Sequence, residues 1–95
     1  MESQPISANP LVAFVRQEGT TTILDLSGEI DGFSDAAMDD AYTRASATNP
    51  QRLLLNFAAV DYINSTGIAL IVAVLAKARR DNIPLLTCGL SEHYQ

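Results

Sequence analysis

The sequence alternates between short β-rich segments and helical segments, and this order restricts the fold more than any other feature. Two β-rich segments come first, "LVAFVR" and "TTTILDLSG", separated by the short linker "QEGT" that is typical of a hairpin. A helical segment, the strand "RLLLNF", a second helical segment and the strand "LLTCG" follow. Strands that alternate with helices pair in parallel through right-handed crossovers. The sequence therefore predicts an α/β domain: a mixed β-sheet, formed by an N-terminal hairpin and then a βαβαβ run, with helices packed on it.

The first helical segment spans approximately residues 34–45 and is amphipathic. Ser34 stands where an N-cap residue is expected, and Asp35 lies in the first turn, where a negative charge is favourable. One helical stripe predicted to face the core consists of Met38, Ala41, Tyr42 and Ala45. The following "ATNP" ends this helix, because a residue before proline is disfavoured in helical conformation.

Length and composition indicate one small globular domain. The 95 residues, with 47% hydrophobic and 18% charged residues, suffice for a single core. Residues 1–10 lack periodicity and contain two prolines, so they are interpreted as a flexible arm before a domain at 11–95. The net charge of −5 argues against nucleic acid and anionic membranes as ligands, and favours a basic partner.

Cysteine usage and hydropathy favour a cytoplasmic protein. Cys88 is the only cysteine, it cannot form an internal disulfide, and it is predicted to be a buried thiol. The first residues lack the basic and apolar regions of a secretory signal. The longest apolar run, residues 68–76, is about half of what a membrane-spanning helix requires. No insertion into a membrane is expected.

The sequence offers little support for an enzyme. His93 is the only histidine and no motif links it to a serine. Metal-ligand clusters, phosphate-loop glycines and dinucleotide fingerprints are absent from the sequence. We therefore predict no catalytic residues, no metal and no cofactor.

Two adjacent hydroxyl residues, Ser65 and Thr66, stand at the start of the second helical segment. Exposed there, a hydroxyl could carry a phosphate, because helix N-termini have unpaired N–H groups and a partial positive charge. The alternative is that Asn64, Ser65 or Thr66 merely caps the helix, which the local sequence favours. If the loops of the sheet meet at this edge, Asp31 and Asp61 would flank Ser65.

The second helical segment has two apolar stripes, whereas one small sheet can cover only one of them. The first stripe consists of Ile68, Ile71, Val72 and Leu75. The second consists of Leu70, Ala73 and Val74 and ends at Lys77. A helix that is apolar all round is buried on both sides. A second core layer, a dimer contact and a partner-docking face remain open alternatives.

Several segments together resemble the STAS domain family, which sulfate transporters share with anti-sigma factor antagonists. They are "SGEID" before a helix, "LLLNFAAVDYINSTGIALIVAVLAKARR" and "IPLLTCGLSE". In the antagonist branch, the resemblance implies a protein without catalytic activity that binds an anti-sigma factor, usually a serine kinase, and so frees the sigma factor. It also implies that phosphorylation of Ser65, less favourably Thr66, blocks binding and that a phosphatase restores it. The docking surface is predicted to be Leu70, Ala73, Val74 and Lys77.

Departures from the family pattern keep other interpretations open. Asn56 and Asn64 stand where the family commonly has Asp, which favours a STAS scaffold module that recruits partners within a larger signalling complex without being phosphorylated. A hydrolase using Ser65 is a further alternative. Family members usually continue through another helix, so we expect "LSEHYQ" to be the stub of a truncated C-terminal helix. Apolar surface left without that helix would make a homodimer an additional partner.

Overall fold

A computed structural model describes residues 9–90 as four strands and two helices. The elements in chain order are β1 (Val12–Glu18), β2 (Thr21–Ile30), α1 (Asp35–Ser46), β3 (Arg52–Ile63), α2 (Ser65–Arg80) and β4 (Leu85–Cys88). The predicted arm up to residue 8 and the stub of the predicted C-terminal helix from residue 91 lie outside the described residues.

The four strands form one mixed sheet in the order β1-β2-β3-β4, as the sequence predicts. β1 pairs with β2 antiparallel, and Gly19, with φ of +62°, takes the left-handed conformation that the tight hairpin linker requires. β2 pairs with β3 and β3 with β4 in parallel. The predicted hairpin and βαβαβ run are thereby confirmed.

β3 is much longer than the predicted strand, which ended at Phe57. It continues to Ile63 and stays paired with β2 up to the pair Ile30 and Ile63. The register between the two strands shifts twice, after Asp25 and after Gly28, and each shift places an additional residue in β3. These bulges interrupt the alternation of inward and outward side chains. The sequence pattern therefore did not predict that the second half of β3 is a strand.

Both helices pack on the same face of the sheet and contact each other. The buried residues of α1 are Met38, Ala41, Tyr42 and Ala45, which confirms the predicted stripe. They join the inward-facing leucines of β2 and β3 in one core cluster. The Tyr42 hydroxyl donates to the Asp81 carboxylate, 2.6 Å away, and so connects α1 to the C-terminal end of α2. The packed pair of helices leaves the opposite face of the sheet without a described helix.

Asn9 and Pro10, which the sequence pattern assigned to the arm, contact the sheet. Asn9 accepts a backbone hydrogen bond from Glu29 N–H at 2.9 Å, and Pro10 forms a β-bridge with Glu29. The Asn9 side-chain amide also donates to the Asp61 carboxylate. These contacts hold Asn9 and Pro10 beside the end of β2.

The prediction that Cys88 is buried is wrong. Cys88 ends β4, an edge strand that has a neighbour on one side only, and its side chain is exposed. Its Sγ donates to Asn56 Oδ1, 3.4 Å away, across the β3–β4 pair. An apolar strand sequence does not distinguish an edge strand from a central one, which is the reason for the error.

Candidate functional site

The site is built where β3 passes directly into α2. Ile63 ends β3, Asn64 links the two elements, and Ser65 is the first helical residue. Gly67 rests against the end of β2, where an added Cβ would lie 2.1 Å from the carbonyl oxygen of Ile30. Only a residue without a side chain fits at that distance. This close approach fixes where α2 starts relative to the sheet.

Asn64 caps α2, so neither hydroxyl residue is needed for capping. Its Oδ1 accepts a hydrogen bond from the backbone N–H of Gly67 at 2.8 Å. Its extended backbone is typical of an N-cap residue. Ser65 and Thr66 are both exposed, and the part of the chain that the structure describes offers their hydroxyls no hydrogen bond. Of the three capping alternatives, the structure selects Asn64.

The electrostatic environment of Ser65 favours an anion. The N–H groups of the first turn have no acceptor within the helix, and the helix dipole adds a partial positive charge there. The first turn of α2 contains no acidic residue, while its last turn carries Lys77, Arg79 and Arg80. A phosphate on the Ser65 hydroxyl would therefore meet unpaired donors at this helix end.

The two predicted loop carboxylates are engaged in contacts of their own. Asp31 Oδ1 accepts from the backbone N–H of Phe33 at 2.9 Å and so shapes the β2–α1 turn. Asp61 accepts from the Asn9 amide. The turn does adjoin α2, because a Cβ placed on Gly32 would lie 3.5 Å from the methyl group of Thr66. Among the described hydrogen bonds and ion pairs, none joins either carboxylate to Ser65.

The predicted docking surface requires a correction at Val74. Val74 is 2% exposed and packs in the core, so it cannot face a partner. Leu70 is half-buried, and Lys77 forms an ion pair with Asp39 of α1. Ala73 is exposed. The predicted surface is therefore mainly the side of α2 that adjoins α1.

The apolar residues that α2 exposes belong to the other stripe. The face buried against the sheet consists of Gly67, Ile71, Val74 and Ala78. Ile68, Val72 and Leu75 are 44%, 55% and 37% exposed, and we call these three residues the α2 outer face. At 3.6 residues per turn, Ser65 projects within about 20° of Val72 around the helix axis. Ser65 thus stands at the N-terminal end of an exposed apolar face.

A groove runs beside the α2 outer face. It has a volume of about 210 Å³ and is lined only by apolar side chains: Ile68, Ile71, Val72 and Leu90. Large exposed aromatic residues lie at the same end of the sheet as Ser65. Phe33, in the turn beside Thr66, is 73% exposed, and Tyr62 near the end of β3 is half exposed. Sequence patterns gave no indication of Phe33 or Tyr62.

The fold family follows from comparison with known proteins. The family model described as STAS domain matches residues 12–94. The chain belongs to the STAS domain family. A curated relative, the anti-sigma-F factor antagonist RsfB of Mycobacterium tuberculosis, is 30% identical over 63 residues. That match covers 66% of this chain and 52% of the relative, so the chain spans about half the length of the curated relatives that it matches.

Two solved structures share the architecture. A protein named Mglu superimposes with a TM-score of 0.70 at 31% identity, over 79% of this chain and 19% of Mglu. An anti-sigma factor antagonist from Mycobacterium paratuberculosis superimposes with a TM-score of 0.66 at 20% identity, over 84% of this chain and 88% of that protein. The second likeness shows the fold alone.

The shifted pKa values of this STAS domain lie away from Ser65. The hydrogen bond from Arg16 holds the pKa of Asp25 below its usual value. Burial, and then the hydrogen bond to Asp81, raises the pKa of Tyr42 to about 12. Within residues 9–90, no group of acidic, histidine and cysteine side chains is arranged to hold a metal ion. No helix in that range is long and apolar enough to cross a bilayer.

Proposed function

We propose that this STAS domain is an anti-sigma factor antagonist that works by partner switching. Unphosphorylated, it binds an anti-sigma factor that is also a serine kinase, and phosphorylation of Ser65 releases that partner. A phosphatase restores the unphosphorylated form. The observation that carries the proposal is the position of Ser65: exposed, free of a capping role, and in line with the α2 outer face.

The proposed docking surface combines the α2 outer face with its surroundings. Apolar side chains that are exposed together mark protein interaction sites, and aromatic residues supply much of the binding energy at such sites. Phe33 lies beside the start of α2 and provides an exposed aromatic ring. Of the surface predicted from sequence, Ala73 remains available at the edge of this region.

A phosphate would oppose docking by its charge and by its hydration. It adds about 1.5 to 2 negative charges at neutral pH and has three strongly hydrated oxygens. Val72 and Ile68 follow Ser65 on the same side of the helix, so a partner covering them would bring the phosphate to the edge of an apolar interface. The helix N-terminus meanwhile stabilises the phosphate on the free protein. The modification thus weakens the complex without unfolding the domain.

The test compares two substitutions at Ser65 in binding to the serine-kinase anti-sigma factors of the native host, each purified and titrated by calorimetry. We expect Ser65→Ala to bind as the wild type does and Ser65→Asp to bind at least ~10-fold more weakly, about 1.4 kcal/mol. Incubation with the bound kinase and ATP should place phosphate on the wild type and on the matched control Thr66→Ala, but not on Ser65→Ala. Equal binding of Ser65→Ala and Ser65→Asp would refute the switch and favour the unphosphorylated scaffold.

A further inference from the structure

The face of the sheet opposite the helices exposes large apolar side chains. Both helices pack against the inward-facing residues of the strands, and no described helix covers the other face. On that face Phe14 of β1 is 67% exposed and Leu86 of β4 is 52% exposed. We call this surface the open face and define it by three rows of paired residues: Glu18, Thr21 and Arg52; Arg16, Ile23, Leu54 and Leu86; Phe14, Asp25, Asn56 and Cys88.

The open face has an apolar centre of its own. Ile23 is 4% exposed although it does not belong to the core cluster on the helix side. Its neighbour on β3 is Leu54, and the neighbour of Leu54 on β4 is Leu86. Three aliphatic side chains in one row across adjacent strands, with Phe14 on the next row, form a surface that gains free energy when it is covered.

Most polar side chains of the open face already have partners within the chain. Asn56 Nδ2 donates to Asp25 Oδ1 at 2.9 Å, and Asn56 Oδ1 accepts from Cys88 Sγ. Arg16 forms ion pairs with both Asp25 and Glu18. Removing water from a polar group costs most when the group is left without a hydrogen-bond partner. A covering protein would therefore leave few of these side chains without a partner.

The charges of the open face suit a second copy of the same chain. The whole sequence carries a net charge of −5, so most orientations of two copies repel each other. The three rows, in contrast, carry two arginines and two carboxylates. Glu18 and Arg52 stand at opposite ends of one row, with Thr21 of β2 between them. Within residues 9–90, Arg52 has no ion-pair partner.

We propose that the open face holds a second copy of this chain in a two-fold symmetric dimer. An axis parallel to β2 stacks β1 of each copy over β3 of the other and brings Glu18 of each copy to Arg52 of the other. Such contacts are self-complementary, as a two-fold interface requires. The dimer leaves the α2 outer face free on the far side of each sheet. Self-association and the proposed switch at Ser65 are therefore independent.

The test is sedimentation velocity of the full chain over a range of concentrations. We expect the wild type to dimerise and Phe14→Glu to be monomeric, because a charge would replace the most exposed apolar side chain of the open face. Val72→Glu is the matched control on the α2 outer face and should dimerise as the wild type does. A wild type that stays monomeric at ~1 mM, or a dimer that Val72→Glu disrupts and Phe14→Glu does not, would overturn the proposal.

Charge reversal tests the proposed pairing and does not depend on how Phe14→Glu folds. We expect Glu18→Arg and Arg52→Glu each to raise the dimer dissociation constant at least ~10-fold by bringing like charges together. The double variant restores opposite charges and should return within about 3-fold of the wild type. Failure of the double variant to recover would refute the two-fold arrangement. Ser65→Asp should leave dimerisation unchanged, so this test and that of the switch fail separately.

Discussion

Asn64 Oδ1 accepts the hydrogen bond from Gly67 N–H that caps α2, at 2.8 Å, and it does so directly before Ser65. Asparagine is among the best N-cap residues, so its presence where the family commonly has Asp preserves the cap. The two adjacent residues therefore have different roles. The Asn64 side-chain amide caps the helix, and the Ser65 hydroxyl is not needed for the cap.

This division predicts opposite sensitivities at two adjacent positions. Asn64→Ala removes the cap and should lower the free energy of unfolding by about 1 kcal/mol. Ser65→Ala removes an exposed hydroxyl and should change it by less than about 0.5 kcal/mol. Urea unfolding followed by far-UV circular dichroism measures both. A larger loss in Ser65→Ala than in Asn64→Ala would show that the serine is the structural residue.

Gly67 offers a test in which the sign of the effect is informative. Helix propensity alone predicts that Gly67→Ala stabilises α2 by about 1 kcal/mol. The added methyl group would, however, meet the backbone of Ile30 at 2.1 Å, and backbone cannot move aside cheaply. We expect a net destabilisation of more than about 2 kcal/mol in urea unfolding. Ala69→Gly, at an exposed position of the same helix, should cost only the propensity of about 1 kcal/mol.

The two valines of α2 separate its buried face from its outer face. Val74→Ala should lower the free energy of unfolding by roughly 2 kcal/mol, because it leaves a cavity in the core. Val72→Ala removes a side chain that is 55% exposed and should cost less than about 0.5 kcal/mol. Urea unfolding of both variants measures the two losses. A larger loss in Val72→Ala than in Val74→Ala would contradict the orientation of α2 described above.

The sequence predicted the order of elements better than it predicted the rotation of α2. Strand and helix periods, the hairpin linker and the proline after α1 are local signals, and the structure follows them. The rotation of α2 depends on a contact with a distant segment, that of Gly67 with Ile30. The stripe with the larger aliphatic side chains is mostly exposed, since Ile68, Val72 and Leu75 belong to the α2 outer face, so hydropathy alone points to the wrong face of the helix. The signal that was missed is the small residues Gly67 and Ala78 on one side, which allow close packing.

Of the candidate site, only the residues that are adjacent in sequence were predictable. Ser65 at the start of a helix follows from the local sequence. The exposure of Phe33 and Tyr62 depends on which loops meet at the edge of the sheet, and that is decided by pairing over long separations, such as Glu29 with Tyr62. The bulges in the β2–β3 pair also interrupt the alternation of apolar and polar residues, so the sequence of the second half of β3 does not show a strand pattern.

Tyr42 makes stability depend on pH in the alkaline range. Burial and the hydrogen bond to Asp81 raise its pKa to about 12, whereas an unfolded tyrosine titrates near 10. Between these values the unfolded chain has lost the phenol proton and the folded chain still holds it. Deprotonation therefore favours unfolding, so the contribution of Tyr42 is complete below pH ~10 and falls by about 2 kcal/mol as pH approaches 12.

The variant Tyr42→Phe isolates this effect, because it keeps the ring and removes the ionisable hydroxyl. At neutral pH it should be less stable than the wild type by about 1 kcal/mol, the value of one hydrogen bond. Between pH ~10 and ~11.5 the wild type should lose this advantage. In that range Tyr42 releases its proton in the unfolded state but keeps it in the folded state, so rising pH stabilises the unfolded wild type. Urea unfolding of both proteins across that range gives the difference directly, and other groups that titrate there cancel. A difference that stays constant with pH would mean that the Tyr42 hydroxyl is not held protonated by burial and Asp81.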